Sequence, residues 1–136
     1  MKTRNSQTKS TLIALVFFLL FCSIVQNANA ESTKIAVAAI GQEKDAAISL
    51  ETGRAPFFLI FDGKATFLEA LNNPAKEQTR GVRRVVSSLF AQKGVTIIIA
   101  GNIGNKMEQA LKEQHILYIQ KTGVAANVVQ TFIQNH

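Results

Sequence analysis

The stretch Val95–Asn105 reads VTIIIAGNIGN and decides the fold. Its first five residues are apolar or β-branched, so a strand formed there would present such side chains to both sides of a sheet. This pattern is typical of a central strand that is covered on both faces. Gly101 and Gly104 then predict a turn into a helix. The apolar positions of that helix are Ile103, Met107, Ala110 and Leu111.

Further amphipathic helices are predicted on both sides of this stretch. The upstream helix carries a stripe of apolar residues at helical spacing, formed by Val82, Val85, Val86, Leu89 and Phe90. We expect Gly94 to end this helix and Arg83 and Arg84 to face water. Downstream, Ile116–Ile119 is predicted to form a short strand. The last helix has the stripe Ala125, Val128, Val129, Phe132 and Ile133.

The preceding part of the chain predicts three strands. Lys34–Ile40 is apolar on both faces, and Ala46–Leu50 could pair briefly after it. Pro56 opens the run FFLIF, which ends at Asp62-Gly63, a dipeptide that favours a two-residue hairpin turn with positive φ at both positions. Lys64–Leu71 is the predicted return strand, and Asn72-Asn73-Pro74 ends it.

The order of these elements predicts an α/β fold with one domain. The first three strands should run antiparallel, and the last two should lie parallel to the first, with helices on both faces. This five-stranded mixed sheet is the ribonuclease-H-like arrangement. We assign residues 31–136 to this domain because no repeat, linker or low-complexity stretch divides them.

Residues 1–30 have the sequence features of a secretory signal peptide. Lys2, Arg4 and Lys9 are followed by the apolar run Thr11–Val25 and by the Ala-x-Ala ending at Ala30. The apolar run is shorter than the roughly 20 residues of a membrane-spanning helix, which favours cleavage after Ala30 over a retained anchor. We therefore expect a secreted or periplasmic protein without stable membrane insertion after cleavage.

Cysteine content and charge exclude several classes of protein. Cys22 is the only cysteine and follows the large Phe21, which argues against a lipid-modified N-terminus. Its loss with the signal would leave no thiol for a disulfide or a metal. All nine acidic residues and all but three of the 15 basic residues follow Ala30, so the mature chain carries +3. Arginines cluster at positions 80, 83 and 84, but Tyr118 is the single tyrosine and tryptophan is absent, so a solvated helix face is favoured over nucleic-acid binding.

The sheet order predicts a ligand site beyond the carboxyl ends of two neighbouring parallel strands. The loop Gly41–Asp45 should face the turn Gly101–Asn105 there, and Lys106 would add charge. Backbone N–H groups at the start of a helix favour an anion. The predicted ligand-binding residues of this site are Gly41, Gly101, Asn102, Gly104 and Asn105. In the competing interpretation, the glycines only make a tight turn and Asn102 or Asn105 caps the helix.

Arg54 is the remaining candidate ligand-binding residue. It lies on a loop next to Pro56 and could pair with an anionic cluster, a carboxylate or a phosphate. A surface salt bridge to Glu51 or Asp62 is an equally good interpretation of the sequence.

Metal ligation and catalysis have little support in the sequence. His115 and His136 are the only histidines, and Met107 at helical spacing is typical of a core residue. A nuclease of this fold would need a carboxylate in the first strand, and Lys34–Ile40 contains none. We therefore predict that the protein is not an enzyme and has no metal ligands of its own.

Several short motifs occur together along the mature chain. They are Lys34-Ile-Ala-Val-Ala, Gly53-Arg54-Ala55-Pro56-Phe57-Phe58, Asn73-Pro74-Ala75, Gly94-Val95 and Gly101-Asn102-x-Gly104. In this order and spacing they resemble the dinitrogenase iron–molybdenum cofactor biosynthesis family (the NifX, NafY and NifB C-terminal type of domain). The resemblance implies a ribonuclease-H-like fold without nuclease activity, and binding or carriage of an iron–sulfur or iron–molybdenum-type cluster.

Two functional hypotheses follow from the residues and the resemblance together. In the first, the chain is a non-catalytic exported protein that binds or carries a small anion or a metal cluster. Arg54 would then close one side of the site. In the second, the chain is a protein-interaction module that has lost the ligand site and binds an exported partner. The sequence leaves the identity of the ligand or partner and the oligomeric state open.

Overall fold

A computed structural model describes residues 32–136. The predicted signal peptide and its cleavage site lie outside the described residues. Within residues 32–136, no helix has the length and apolar character needed to cross a membrane.

Five strands form one mixed sheet in the described part of the chain. They are β1 (Lys34–Ala39), β2 (Phe57–Asp62), β3 (Phe67–Asn72), β4 (Ile97–Ala100) and β5 (Leu117–Gln120). Their spatial order is β3-β2-β1-β4-β5. The pairs β1–β2 and β2–β3 are antiparallel, whereas β1–β4 and β4–β5 are parallel. This topology confirms the predicted fold class.

Three helices cover the two faces of the sheet. They are α1 (Val82–Lys93), α2 (Asn105–Glu113) and α3 (Ala125–Gln134). Val86, Phe90 and Leu111 pack with Phe58 and Ile98 on one face. On the other face, Ala125 and Val129 pack with Val37, Leu59 and Ile99. Helices α1 and α2 therefore share one face, and α3 covers the other.

The upstream helix follows its predicted pattern closely. Val86 and Phe90 are fully buried, while Arg83 and Arg84 are exposed. The helix ends at Gly94, whose φ of 72° is the left-handed conformation that glycine adopts without strain. The predicted brief pairing after the first strand is also present, because Ile48 bridges to Ala39 and Ala47 bridges to Val124.

The turn between β2 and β3 differs from the prediction. The prediction of a two-residue turn at Asp62-Gly63 is wrong. In the observed turn the residue with positive φ is Ala65, at 63°. The Asp62 carboxylate accepts hydrogen bonds from the backbone N–H groups of Lys64 at 2.9 Å and Thr66 at 2.8 Å. These bonds hold a three-residue loop, Gly63–Ala65, and β3 begins only at Phe67. The same two hydrogen bonds lower the pKa of Asp62, because they stabilise its ionised form.

Candidate functional site

An open cleft of about 630 Å³ lies where three segments of the chain meet. The first segment is Glu51–Arg54, which follows the brief pairing after β1. The second runs from Thr79 into the first turn of α1. The third is Lys106-Met107, in the first turn of α2. Since α2 follows β4 in the chain, the part of the cleft formed by Lys106 and Met107 lies on the carboxyl side of a central parallel strand.

The cleft is strongly basic. Five of its lining residues are bases and one, Glu51, is an acid; the bases are Arg54, Arg80, Arg83, Arg84 and Lys106. All five bases are exposed. Within residues 32–136, the two ion pairs are Lys93–Glu69 and Lys112–Glu108. None of the cleft bases therefore forms an ion pair with a carboxylate of this part of the chain.

Close packing at Gly53 holds the Arg54 segment against both helices. A Cβ atom at position 53 would lie 2.8 Å from Cγ1 of Val82 and 3.4 Å from Cε of Met107. The first of these distances is closer than real Cβ atoms allow. Glycine at this position therefore lets the loop approach the first turns of α1 and α2, which brings their bases near Arg54.

Neither helix that borders the cleft has a side-chain cap at its N-terminus. The N-cap residue of α1 is Gly81, with φ of 74°, and the N-cap residue of α2 is Gly104, with φ of −70°. The first turn of α1 also contains no acidic residue. Because first-turn N–H groups lack partners inside the helix, the start of α1 adds partial positive charge at the cleft, whereas the first turn of α2 contains the acidic residue Glu108.

Helix α2, which carries Lys106, is fixed to the sheet by a polar cluster on its other side. The Tyr118 hydroxyl donates a 2.6 Å hydrogen bond to Oε1 of Glu108, and Nζ of Lys112 lies 2.6 Å from the same oxygen. The bonds from Lys112 and Tyr118 lower the pKa of Glu108, and the bond to Glu108 raises the pKa of Tyr118. This cluster links α2 to the edge strand β5.

Arg54 lines the cleft. Neither of the salt bridges considered for it, to Glu51 or to Asp62, is present within the described residues. Its Nη1 instead donates a 3.2 Å hydrogen bond to the exposed carbonyl oxygen of Lys76.

The predicted glycine-rich turn supports the cleft and does not line it. A Cβ at Gly101 would lie 2.9 Å from both Cα of Leu50 and the Ser49 carbonyl oxygen, so glycine permits a close approach there. The carbonyl oxygen of Asn102 accepts a 2.9 Å hydrogen bond from the Thr52 hydroxyl.

Gly104 and Asn105 occupy the start of α2 without contributing a side-chain cap. A Cβ at Gly104 would meet no atom within 4 Å. No side-chain hydrogen bond caps α2, so the alternative in which Asn102 or Asn105 caps this helix is wrong. Of this region, it is Lys106 and Met107 that reach the cleft.

Gly41 lies apart from the other candidates. The prediction that the loop Gly41–Asp45 faces the turn Gly101–Asn105 is wrong, because the loop contacts a different part of the chain. The backbone N–H of Ala126 donates to the Lys44 carbonyl at 3.0 Å, so this loop contacts the start of α3. The chain then runs back past β1, and Ser49 accepts the hydrogen bond of the Gly101 N–H at 2.9 Å. The segment Ser49–Arg54 therefore occupies the place expected for Gly41–Asp45.

The arginines at the start of α1 are the site residues that the sequence interpretation missed. Arg80, Arg83 and Arg84 are exposed on the helix surface, as expected, but they also line the cleft together with Arg54 and Lys106. A signal was available in the sequence, because three arginines in five residues fall at the uncapped start of a helix.

The donor set of the cleft determines which groups it could hold. Among residues 32–136, no group of three or more His, Cys, Asp or Glu side chains is placed to hold a metal ion. The cleft instead offers guanidinium groups, an ammonium group and helix N-termini, which are hydrogen-bond donors that recognise anions. These residues fit an anion and do not fit a bare metal cation.

Comparison with known families gives a match to the dinitrogenase iron-molybdenum cofactor family over residues 33–135. The chain belongs to this family. Its members are involved in the biosynthesis or binding of the iron–molybdenum cofactor, and they are generally cofactor-binding or carrier proteins. The resemblance found in the sequence motifs is therefore confirmed.

Two solved structures share the fold of this family member. The apo form of the orange protein from Desulfovibrio gigas is 26% identical, with 76% of this chain and 88% of that chain covered and a TM-score of 0.71. A Thermotoga protein described as belonging to the DUF35 family is 21% identical, with 75% of this chain and 88% of that chain covered and a TM-score of 0.65. Comparison with curated proteins gives no match.

Proposed function

We propose that this family member is an exported, non-catalytic binding protein that holds a multiply charged anion in the basic cleft. The ligand class is a metal-containing cluster with net negative charge or a small oxoanion or carboxylate. The observation that carries the proposal is the convergence of Arg54, Arg80, Arg83, Arg84 and Lys106 on one cleft without carboxylate partners among residues 32–136.

Binding requires several of these bases because each of them is exposed to solvent. An isolated exposed ion pair contributes only about 0.2–1 kcal/mol. A cleft lined by several charges of one sign concentrates their field, and guanidinium groups add paired hydrogen bonds to oxygen atoms. The proposal therefore requires a ligand large enough to contact several of these bases at once, and its affinity should fall as salt concentration rises.

The chemistry of the donors limits the kind of cluster that could bind. Iron–sulfur clusters are commonly held by cysteine thiolates, and the one cysteine of the chain, Cys22, lies within the proposed signal peptide. A cluster held in this cleft would have to carry its own ligands and present negative charge outward. The orange protein, which shares this fold, has a solved structure of its apo form. This supports the proposal that the present protein also exists both with and without a bound group.

Export is supported by the sequence of residues 1–30. A basic start, a short apolar run and the Ala-x-Ala ending at Ala30 are together typical of a cleaved signal. On this proposal the protein would bind its ligand in the periplasm or outside the cell. It would store, capture or present the ligand there.

The experiment that tests the function combines metal analysis with a ligand screen. Protein isolated from its native host should contain metal or show stabilisation by at least one anion among sulfate, phosphate, molybdate, citrate and succinate. A ligand present at 100 times its dissociation constant should add about 2.7 kcal/mol of stability. Absence of metal together with no stabilisation by any of these anions would contradict the proposal, and recovery of a specific protein partner would then favour an interaction module.

A further inference from the structure

We infer that Asn73, assisted by Thr52, is a positioning residue that holds Arg54 toward the cleft. This inference rests on the proposed function, because it assigns Arg54 to the ligand. It concerns a buried side chain that lies outside the cleft and acts on the backbone of the Arg54 loop.

The Asn73 side chain spans the backbone on both sides of Arg54. Its Nδ2 donates hydrogen bonds of 2.9 Å to the carbonyl oxygens of Gly53 and Ala55. Its Oδ1 accepts a 2.9 Å bond from the backbone N–H of Ala75. The residue is only 3% exposed. Both amide protons of the side chain are therefore committed to the Gly53–Arg54 peptide unit, which precedes Arg54, and to the Ala55–Pro56 peptide unit, one residue beyond it.

Thr52 fixes the same loop from its other end. Its hydroxyl donates a 2.9 Å hydrogen bond to the carbonyl oxygen of Asn102, just before α2 begins, and Thr52 is 3% exposed. The loop between Thr52 and Pro56 contains no strand or helix, so these side-chain bonds replace the regular backbone bonds that would otherwise order it. With the Gly53–Arg54 and Ala55–Pro56 peptide units held, the backbone on either side of Arg54 is fixed, which restricts the direction in which its side chain leaves the loop.

This arrangement gives a physical reason for two motifs that are separate in the sequence. Gly53-Arg54-Ala55-Pro56 supplies the carbonyl oxygens, and Asn73-Pro74-Ala75 supplies the amide that binds them. Ala55 and Ala75 are both fully buried in the same core cluster. The Asn73 motif is therefore part of the binding machinery by its effect on Arg54, although it does not line the cleft.

Two measurements on the full chain test the inference, with Asn72→Ala as the matched control. Asn72 is the exposed neighbour at the end of β3. Asn73→Ala should lower the NMR order parameter of the Arg54 N–H from about 0.85 to below about 0.6, while Asn72→Ala leaves it unchanged. An unchanged order parameter in Asn73→Ala would overturn the inference, whatever the protein binds.

The second measurement is a double-mutant cycle with molybdate and citrate as probes. Asn73→Ala should weaken binding at least tenfold, and it should have no further effect in the Arg54→Gln background. An equal loss in both backgrounds would show that Asn73 acts on general stability, which contradicts the inference. If Asn73→Ala does not fold, Thr52→Val replaces it, with recovery expected in Thr52→Ser, which keeps the hydroxyl. If the wild-type chain binds none of the anions and carries no metal as isolated, the proposed function fails, whereas wild-type affinity in a folded Asn73→Ala overturns only the positioning role.

Discussion

The Thr52 hydroxyl donates a hydrogen bond of 2.9 Å to the carbonyl oxygen of Asn102. This bond joins the loop that carries Arg54 to the turn that precedes α2. The glycine-rich turn therefore contributes to the candidate site by supporting a neighbouring loop. Its own backbone N–H groups are used mainly in structure, since Gly101 donates to Ser49 and Ile103 donates to the Gln120 side chain.

The two glycines of this turn should respond differently to replacement by alanine. Gly101→Ala should destabilise the protein by about 1–3 kcal/mol, the usual range for overpacking, because its Cβ would lie 2.9 Å from backbone atoms of Ser49 and Leu50. Gly104→Ala should change stability by less than about 1 kcal/mol, since its φ is −70° and its Cβ meets nothing within 4 Å, and the entropic gain of alanine is offset by its weakness as an N-cap residue. Chemical denaturation of the two variants measures this difference. Equal stability of both would contradict the close approach at Gly101.

Phe90 is expected to be a major contributor to the core. Its ring packs edge-on against Phe58, with centroids 4.7 Å apart, and it is fully buried. Phe90→Ala should lower the free energy of unfolding by about 3–5 kcal/mol. Leu117→Ala is the control, because Leu117 is 67% exposed on β5, and its effect should stay within about 0.5 kcal/mol. A loss below about 1 kcal/mol for Phe90→Ala would contradict the packing of α1.

The titration of Tyr118 tests the cluster that fixes α2. Its hydrogen bond to Glu108 stabilises the protonated phenol, so the pKa lies above the ordinary tyrosine value of about 10. The bond therefore stabilises the fold below that value, and its contribution is lost as pH rises through the raised pKa. The phenolate absorbance is unambiguous, because the chain has one tyrosine and no tryptophan.

Glu108→Gln should move the absorbance midpoint of Tyr118 back toward about 10, because the negative carboxylate is removed. Glu113→Gln is the control on the same helix and should leave the midpoint raised. A midpoint that is unaffected by Glu108→Gln would show that the hydrogen bond is not formed in solution.

The sheet was predictable because its strands carry strong local signals. The strands β1 and β4 are apolar on both faces, and the stripes of α1 and α3 have clear helical spacing. The sequence predicts the wrong β2–β3 turn because the dipeptide Asp62-Gly63 favours a shorter loop than the one that the Asp62 carboxylate stabilises.

The candidate site was only partly predictable because it is built from distant segments. The loop position of Arg54 is enough to make it a candidate ligand-binding residue. The arginines of α1, in contrast, become site residues only because the close packing of Gly53 on Val82 brings the two segments together. That contact joins residues 29 positions apart in the sequence and has no local signal. For the same reason the sequence predicts the wrong neighbour for Gly41, since the route of the chain between β1 and β2 cannot be deduced from strand order alone.

Export is tested by the mass of the protein in its native host. The basic start, the apolar run Thr11–Val25 and the Ala-x-Ala ending at Ala30 predict a mature protein that begins at Glu31. Intact-mass spectrometry of the extracytoplasmic fraction measures this directly. Recovery of a full-length form that requires detergent would show that the segment is a retained anchor.

The measurement that tests the central claim most directly is the affinity of the protein for molybdate, phosphate and citrate in three forms: wild type, Arg54→Gln and Lys64→Gln. Both substitutions remove one positive charge, but Lys64 lies on the β2–β3 loop and does not line the cleft. Calorimetric titration should show wild-type binding to at least one anion, with affinity at least tenfold weaker in Arg54→Gln, because a charge-assisted hydrogen bond contributes about 1.5–3 kcal/mol. Lys64→Gln should stay within about twofold of wild type, since exposed charges farther apart than about 8–10 Å are largely screened. Equal affinities in all three forms, or no binding in any of them, would contradict anion binding at the Arg54 cleft.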